Sequence, residues 1–219
     1  MKADLHAHTH FSFDSLTSIR TFIRRYERAG IDCVAVSDHN NVDGALAVRA
    51  DAPFRVIVSE EIKSTEGEII GLFLKETVRK GLTPEDTVRA IREQGGLVLI
   101  PHPLIGFSSL RTAAMLRIMP DVDVIEVFNS KTDILGKGAA ARRLAEEHGK
   151  AVSGASDAHS PWEIGLAWTE MPAFEGPGDF LIALRQGTIH GRRAFIGLHA
   201  LTTVATLQWL LRLRRPRSA

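Results

Sequence analysis

Short apolar runs, set apart by polar turns and amphipathic stretches, organise this chain. Seven of them read as buried strands: Ala3–Ala7, Cys33–Ser37, Arg55–Ser59, Ile69–Leu74, Leu97–Ile100, Val122–Phe128 and Ala151–Gly154. Between several of these, apolar residues recur at helical spacing over Leu16–Ala29, Pro84–Glu93, Leu110–Met119 and Gly138–His148. The GPGD turn at Gly176–Asp179 introduces another helix, Phe180–Gln186. Thr83 before Pro84 supplies an N-cap followed by proline at the first helical position, and Gly30 and Gly149 follow helical runs as C-terminal caps do. Strands alternating with helices predict an α/β fold with a parallel sheet, open or closed into a barrel. From His199 to Arg215, Leu201, Val204, Leu207, Leu211 and Trp209 predict a last helix packed back on the domain.

A chain of 219 residues fits a single domain, and 44% hydrophobic residues suffice for a real core. No linker, repeat or low-complexity block divides it, so the domain is expected over 1–198 with a basic amphipathic tail over 199–219. The single cysteine, Cys33, lies in an apolar run and reads as a core residue, which rules out an internal disulfide. With no basic-then-apolar leader, a reducing, cytoplasmic setting is expected. The net charge of +1 hides an asymmetry. From Arg185 onward there are seven arginines and no acid, leaving 20 basic against 26 acidic residues in the body. An acidic body argues against a nucleic-acid-binding surface. The tail is too short to span a bilayer, and packing on the domain is preferred over contact with an anionic membrane.

The chemistry gathers where the apolar runs end. The first run leads into His6-Ala7-His8, the second into Asp38-His39-Asn40, and the third into Glu60-Glu61. The fifth ends at Pro101-His102-Pro103, the sixth carries Glu126 and Asn129, and the seventh ends at Ser156-Asp157-Ala158-His159. A β/α barrel assembles its site from such strand ends. Imidazole and carboxylate donors without thiolate suit Zn, Mn or Fe. A carboxylate such as Glu61 can bridge two cations about 3.5–4 Å apart, the spacing of two-metal hydrolytic sites.

In order, HAHTHFSFDS, SDHNN, SEEI, IPHP and GASDAH resemble the motifs of the PHP (polymerase and histidinol phosphatase) family. The resemblance spans Lys2 to about Gly187. It implies a distorted (β/α)7 TIM-like barrel with two or three divalent metal ions, usually acting as a phosphoesterase through metal-activated water. Carried over by position, His6, His8, Glu61 and Asp157 would hold the first metal, Glu61 and His102 the second, and Asp14, His39 and His159 a third. Catalysis would rest on His6, His8, Glu61, His102, Asp157 and His159. Many members have a histidine where this chain reads Glu68 in GEIIGLFL; a glutamate there either ligates, favouring a harder ion such as Mn, or lies on the surface.

Other positions carry two readings. Asp14 is a ligand or the cap of the helix near Leu16. Asp38 is a ligand or orients a ligating histidine. Glu60 is structural or solvent-facing. Glu126 and Asn129 face substrate, and Lys131 is solvated or meets a phosphate. His148 complements a helix C-terminus, and His190 and His199, without acidic neighbours, are structural or exposed. His10 shares strand parity with His6 and His8 but matches no ligand position, and is expected at the pocket rim. The expected activity is hydrolysis of a small phosphorylated molecule without an obligate protein partner. The rivals are an exonuclease-like phosphodiesterase, with nucleic acid only as substrate, and a degenerate barrel kept for binding or regulation.

Overall fold

A computed structural model describes residues 1–105, 108–132, 137–195, 197 and 199–213, with the side chains of 199–201, 212 and 213 excepted. The boundary placed at residue 198, the side chains of His199, Arg212 and Leu213, and residues 214–219 lie outside what is described. Among the described residues, nine strands form one sheet: β1 (Lys2–Ala7), β2 (Cys33–Val36), β3 (Arg55–Ser64), β4 (Gly67–Leu72), β5 (Leu97–Ile100), β6 (Val124–Asn129), β7 (Ala151–Ala155), β8 (Ala167–Glu170) and β9 (Thr188–Gly191). Their order is β7-β6-β5-β4-β3-β2-β1-β8-β9. The helices are α1 (Ile19–Ala29), α2 (Asp43–Asp51), α3 (Pro84–Glu93), α4 (Thr112–Ile118), α5 (Gly138–Glu147), α6 (Pro177–Arg185) and α7 (His199–Leu213).

The seven apolar runs are β1 to β7, and they curl until the first meets the last. Ala7 bridges Ala158 in parallel, the His8 amide donates to the Ala158 carbonyl at 3.0 Å, and the Asp157 amide donates to the His6 carbonyl at 2.9 Å. Closure therefore happens at the ligand-bearing ends of β1 and β7. The sheet is a nearly closed α/β barrel, but it is mixed, not parallel. β3 runs on to Ser64 and turns through Thr65 and Glu66 straight into β4, which pairs antiparallel with both β3 and β5. A parallel pair needs a crossover of a dozen or more residues, and the chain between Ser59 and Ile69 is too short for one. β8 and β9 pair antiparallel with each other, and β8 runs antiparallel to the outer side of β1. The sequence reading missed them because four-residue strands with a half-polar pattern carry little periodic signal.

Side chains alternate between two cores. Val34, Val36, Val98 and Ile100 face outward onto Phe22, Tyr26, Val48, Ile91 and Met115 of the surrounding helices. Cys33, Ala35, Leu97 and Leu99 face inward, where α6 lays Phe180 and Leu184 across the far end of the barrel. Phe180 meets Phe174 and Phe73 edge-on at 5.0 and 5.2 Å. Truncating it to Ala would cost about 3–5 kcal/mol. Burial pushes the Cys33 thiol up to about 12, which fits the inert core role expected for it.

One break in the alternation builds the site. Ala3 and Leu5 belong to the inner core but Ala7 belongs to the outer one. An irregularity in the β1–β2 pairing between Asp4 and Ala7 inverts the alternation. His6 and His8 thereby turn into the barrel mouth, above the plug of inward apolar residues.

Candidate metal centre

Four ligand atoms converge at that mouth. His6 Nε2 and His8 Nε2 are 3.1 Å apart, and each lies 3.4 Å from Glu61 Oε2. Asp157 Oδ1 is 3.5 Å from His6 Nε2 and 3.4 Å from His8 Nε2. On one side, the other Glu61 oxygen is 3.2 Å from His102 Nε2, with Glu68 Oε2 a further 3.9 Å from that nitrogen. On the other side, Asp14 Oδ2 sits 3.4 Å from His39 Nε2 and 3.2 Å from His159 Nε2. All nine residues nominated as ligands come together, and Glu68 is buried among them, not on the surface. Asp14 caps no helix, since Ser18 fills that position for α1.

The donor set fits divalent cations. Imidazole nitrogens and carboxylate oxygens face one another without intervening donors, and three of the clusters lie within 4.8 Å atom to atom around His6, Glu61 and His102. Asp157 Oδ1 and Asp14 Oδ1 are buried yet accept no hydrogen bond. A buried carboxylate oxygen without a partner is costly, and a cation at the centre of these atoms removes that cost.

A second layer aims the imidazoles. Ser12 Oγ takes the hydrogen of His8 Nδ1 at 3.1 Å, receives the His39 amide at 3.0 Å, and donates to Asp38 Oδ1 at 2.7 Å. Asp38 also accepts the amide and hydroxyl of Thr9 at 2.7 and 2.6 Å. Both Asp38 oxygens are thus occupied by hydrogen bonds, the arrangement of an orienting group. Glu126 Oε1 faces His6 Nδ1 at 3.2 Å, and its other oxygen accepts the His102 amide and the Asn129 amide group, each at 2.8 Å. Asn129 reaches Asp157 Oδ2 at 3.2 Å as well. The substrate-facing reading of Glu126 and Asn129 is therefore corrected: both are buried beneath the nominated ligands, Glu126 orienting the His6 ring and Asn129 holding Glu126 and Asp157 in place. His159 Nδ1 donates to the Asp157 carbonyl at 2.9 Å, and Glu163 accepts the His159 amide at 3.0 Å. Ser12, Thr9 and Glu163 were not foreseen; short polar residues beside a ligand motif carry no spacing signal.

Two of the nominated ligands hold left-handed backbone, His102 at φ 31° and Asp157 at φ 51°. Each such conformation costs about 1–3 kcal/mol and is maintained by the surrounding structure. Here Glu126 grips the His102 amide, and the His6 carbonyl grips the Asp157 amide.

Charge follows from the crowding. Burial and the positive field of His159 hold His8 down to about 3, so it is neutral and ready to ligate. Burial works against protonation of His39 too, but Glu61 and Asp14 outweigh it and bring His39 up to about 9. His6 is raised in the same way: burial opposes the charge, and Asp157, Glu61 and Glu126 overcome it. Asp157 and Glu61, despite burial, lie well below the usual carboxylate range because His6 stands beside both. Glu68 is raised, by burial first and then by the neighbouring Glu61. Without cations, protons on the imidazoles balance the carboxylates.

A cavity of about 270 Å³ opens over the cluster, lined by Phe13, Glu68, Lys131, Thr132 and the outer ligands. Asn129 Oδ1 accepts the amides of Lys131 and Thr132, each at 3.0 Å, and so fixes both at the rim. His10 is exposed beside Phe11 and does not line the cavity, which corrects the rim position expected for it. Glu60 is fully buried with its carboxyl pushed up to about 8 by burial, and it accepts the Val78 amide at 2.8 Å. Its structural reading stands and the solvent-facing one does not. His190 does have an acidic neighbour: β8–β9 pairing brings Glu170 Oε2 to 3.2 Å.

The family model for the PHP domain matches residues 4–107, and one for PHP-associated sequences matches residues 139–189. Two uncharacterized proteins of Methanocaldococcus jannaschii are similar to this chain. MJ1587 is 41% identical over 144 residues, covering 59% of this chain and 82% of that protein. MJ0417 is 31% identical over 198 residues, covering 84% and 79%. Among solved structures, a two-domain protein from Bacteroides vulgatus containing a predicted PHP-like metal-dependent phosphoesterase superposes with a TM-score of 0.72. It is 16% identical and covers 94% of this chain and 69% of that one, a likeness of fold.

Proposed function

Since this chain belongs to the PHP domain family, we propose that it is a metal-dependent phosphoesterase acting on a small phosphorylated molecule. The observation that carries the reading is the convergence of His6, His8, Glu61 and Asp157 on one point, with Glu61 shared by the adjoining cluster of His102 and Glu68. His6, His8, Glu61 and Asp157 would hold one ion, Glu61, Glu68 and His102 a second, and Asp14, His39 and His159 a third. Divalent cations bound there supply Lewis-acid charge at phosphoryl oxygens and make water acidic enough to attack near neutral pH.

The chain's own residues do the rest. Glu126 and the Ser12–Asp38 pair engage Nδ1 of His6 and His8, so Nε2 of each would be the atom turned to an ion that displaces the proton on His6. Lys131 stands at the cavity wall near enough to Asp157 to lower its carboxyl. Its ammonium would take a non-reacting phosphate oxygen, and the Thr132 hydroxyl would steady the ester. His159, with Nδ1 donating to the Asp157 carbonyl and Nε2 3.2 Å from Asp14, would serve as a ligand, and water in the cavity would protonate the leaving oxygen. A cavity of about 270 Å³ suits a small phosphorylated molecule. Lys131 is the one lysine or arginine lining it among the described residues, which gives a polynucleotide backbone little to follow. That favours a small substrate over an oligonucleotide. The second cluster, with Glu68 in place of an imidazole, offers two carboxylates and one nitrogen, a donor balance suited to Mn or Fe more than Zn.

The test is metal analysis of the purified protein, followed by a panel of phosphate monoesters and diesters assayed with Mn, Fe or Zn. Bound divalent metal and turnover of at least one small ester, both lost in His8→Ala, are expected. Protein that takes up no metal and hydrolyses nothing under any ion would sink the enzyme reading.

A further inference from the structure

We propose that α7 is a membrane-surface helix that tethers the domain, with the cavity rim close by, to an anionic phospholipid bilayer. This rests on the helix and its charge, and holds whatever the substrate is. α7 spans His199–Leu213, and among the described residues no helix is long and apolar enough to cross a membrane. Its inward contact is slight: Ala205 is buried, while Thr202 and Thr206 are only half-buried. The outward side is apolar. Val204, Leu207 and Leu211 fall at i, i+3 and i+7 on one face and are 41%, 54% and 62% exposed, with Leu210 beside them at 41%. Phe195, just ahead of the helix, is 75% exposed. Contiguous large apolar residues facing water mark a contact surface.

Charge selects the occupant. From Gln186 onward the sequence has no acidic residue; in sequence, Arg192 and Arg193 precede α7, Arg212 falls in its last turn, and Arg214, Arg215 and Arg217 follow it. A second copy docked through the same face would bring two such arginine groups together and repel. An anionic headgroup layer neutralises them while the leucines enter the acyl boundary, the pattern of an interfacial amphipathic helix. Position gives the contact a consequence. Trp209, 44% exposed, has its ring 5.8 Å from that of Phe13, and Phe13 stacks on His39 at 5.2 Å and lines the cavity. Trp209 lies on the opposite side of α7 from Leu207 and Leu211, so a bilayer that receives the outward face has the helix between it and Phe13, at the edge of the cavity.

The experiment is co-sedimentation of the full chain with phosphatidylcholine vesicles, with and without phosphatidylglycerol. Binding to the anionic vesicles only, weakened by high salt, is expected. The double variant Leu207→Ser/Leu211→Ser should lower partitioning by about tenfold or more. Its melting temperature should not move, because both side chains face solvent. Three results overturn the proposal. One is no binding to anionic vesicles. Another is binding that the double substitution leaves unchanged. The last is a solution dimer, seen by light scattering, that the same substitutions dissolve while vesicles bind nothing; the face would then belong to a second copy.

Discussion

Replacing Gly44 by alanine puts two physical effects in opposition. Gly44 lies in the first turn of α2, where alanine is favoured over glycine by about 0.5–1 kcal/mol on helix propensity alone. A Cβ built there, however, would stand 1.9 Å from Asp38 Oδ2 and 2.6 Å from Thr9 Oγ1. Asp38 must then retreat by about 1.5 Å to reach ordinary contact. Its carboxylate is fully buried and accepts three hydrogen bonds of 2.6–2.7 Å from Thr9 and Ser12. A hydrogen bond to a charged group contributes about 1.5–3 kcal/mol, so losing one and bending the others outweighs the propensity gain. The expected net loss is about 2 kcal/mol, or about 4–8 °C in melting temperature. Because Ser12 links Asp38 to His8 Nδ1, divalent metal affinity should also fall by about 10–100-fold. Thermal melts of the metal-free protein and metal titration calorimetry read the two effects separately. A variant as stable as the parent or more so, with undiminished metal affinity, would refute the assignment of Asp38 as the group that orients His8.

Three further outcomes follow from the same geometry. Glu126→Gln removes the charge facing His6 Nδ1 and should cut metal affinity by about 10–100-fold while the barrel still melts cooperatively; unchanged affinity would show that His6 is oriented by something else. Glu68→His converts the second cluster toward nitrogen and should raise the ratio of Zn to Mn retained after equilibration with both, whereas an unaltered ratio would remove Glu68 from the ligand set. The metal-free protein should lose stability as pH rises from about 6.5 to about 9, because Glu60 (ordinarily 4.5, raised to about 8) and His39 (ordinarily 6.5, raised to about 9) keep protons that the unfolded chain has already released. Their contribution is fully present below the unfolded values and disappears through the folded ones, and since a metal competes with the His39 proton, metal affinity should rise over that interval; a flat or rising stability in EDTA across those pH values would contradict it.

The sequence by itself determined the strands, the chemistry at their ends, and hence the likeness to PHP barrels. β1 to β7 are apolar runs that a buried sheet requires, and residues such as His39, His102 and Asp157 stand just past their ends, where a barrel gathers its site. Only the tertiary structure decided what each polar residue does there. Glu126 and Asn129 look like any polar pair at a strand end; that they lie beneath His6, His102 and Asp157 depends on β6 lying between β5 and β7. Asp38, Ser12 and Gly44 form one unit only because α2 approaches the loop after β1 closely enough to exclude a Cβ. His6 and His8 face inward because the β1–β2 register breaks, and His190 meets Glu170 because β8 pairs with β9, facts of pairing that no local pattern encodes. Apolar burial is set by residue type along the chain and is legible there. Hydrogen bonds and charge pairs depend on distances between segments remote in sequence, and those are fixed only when the barrel closes.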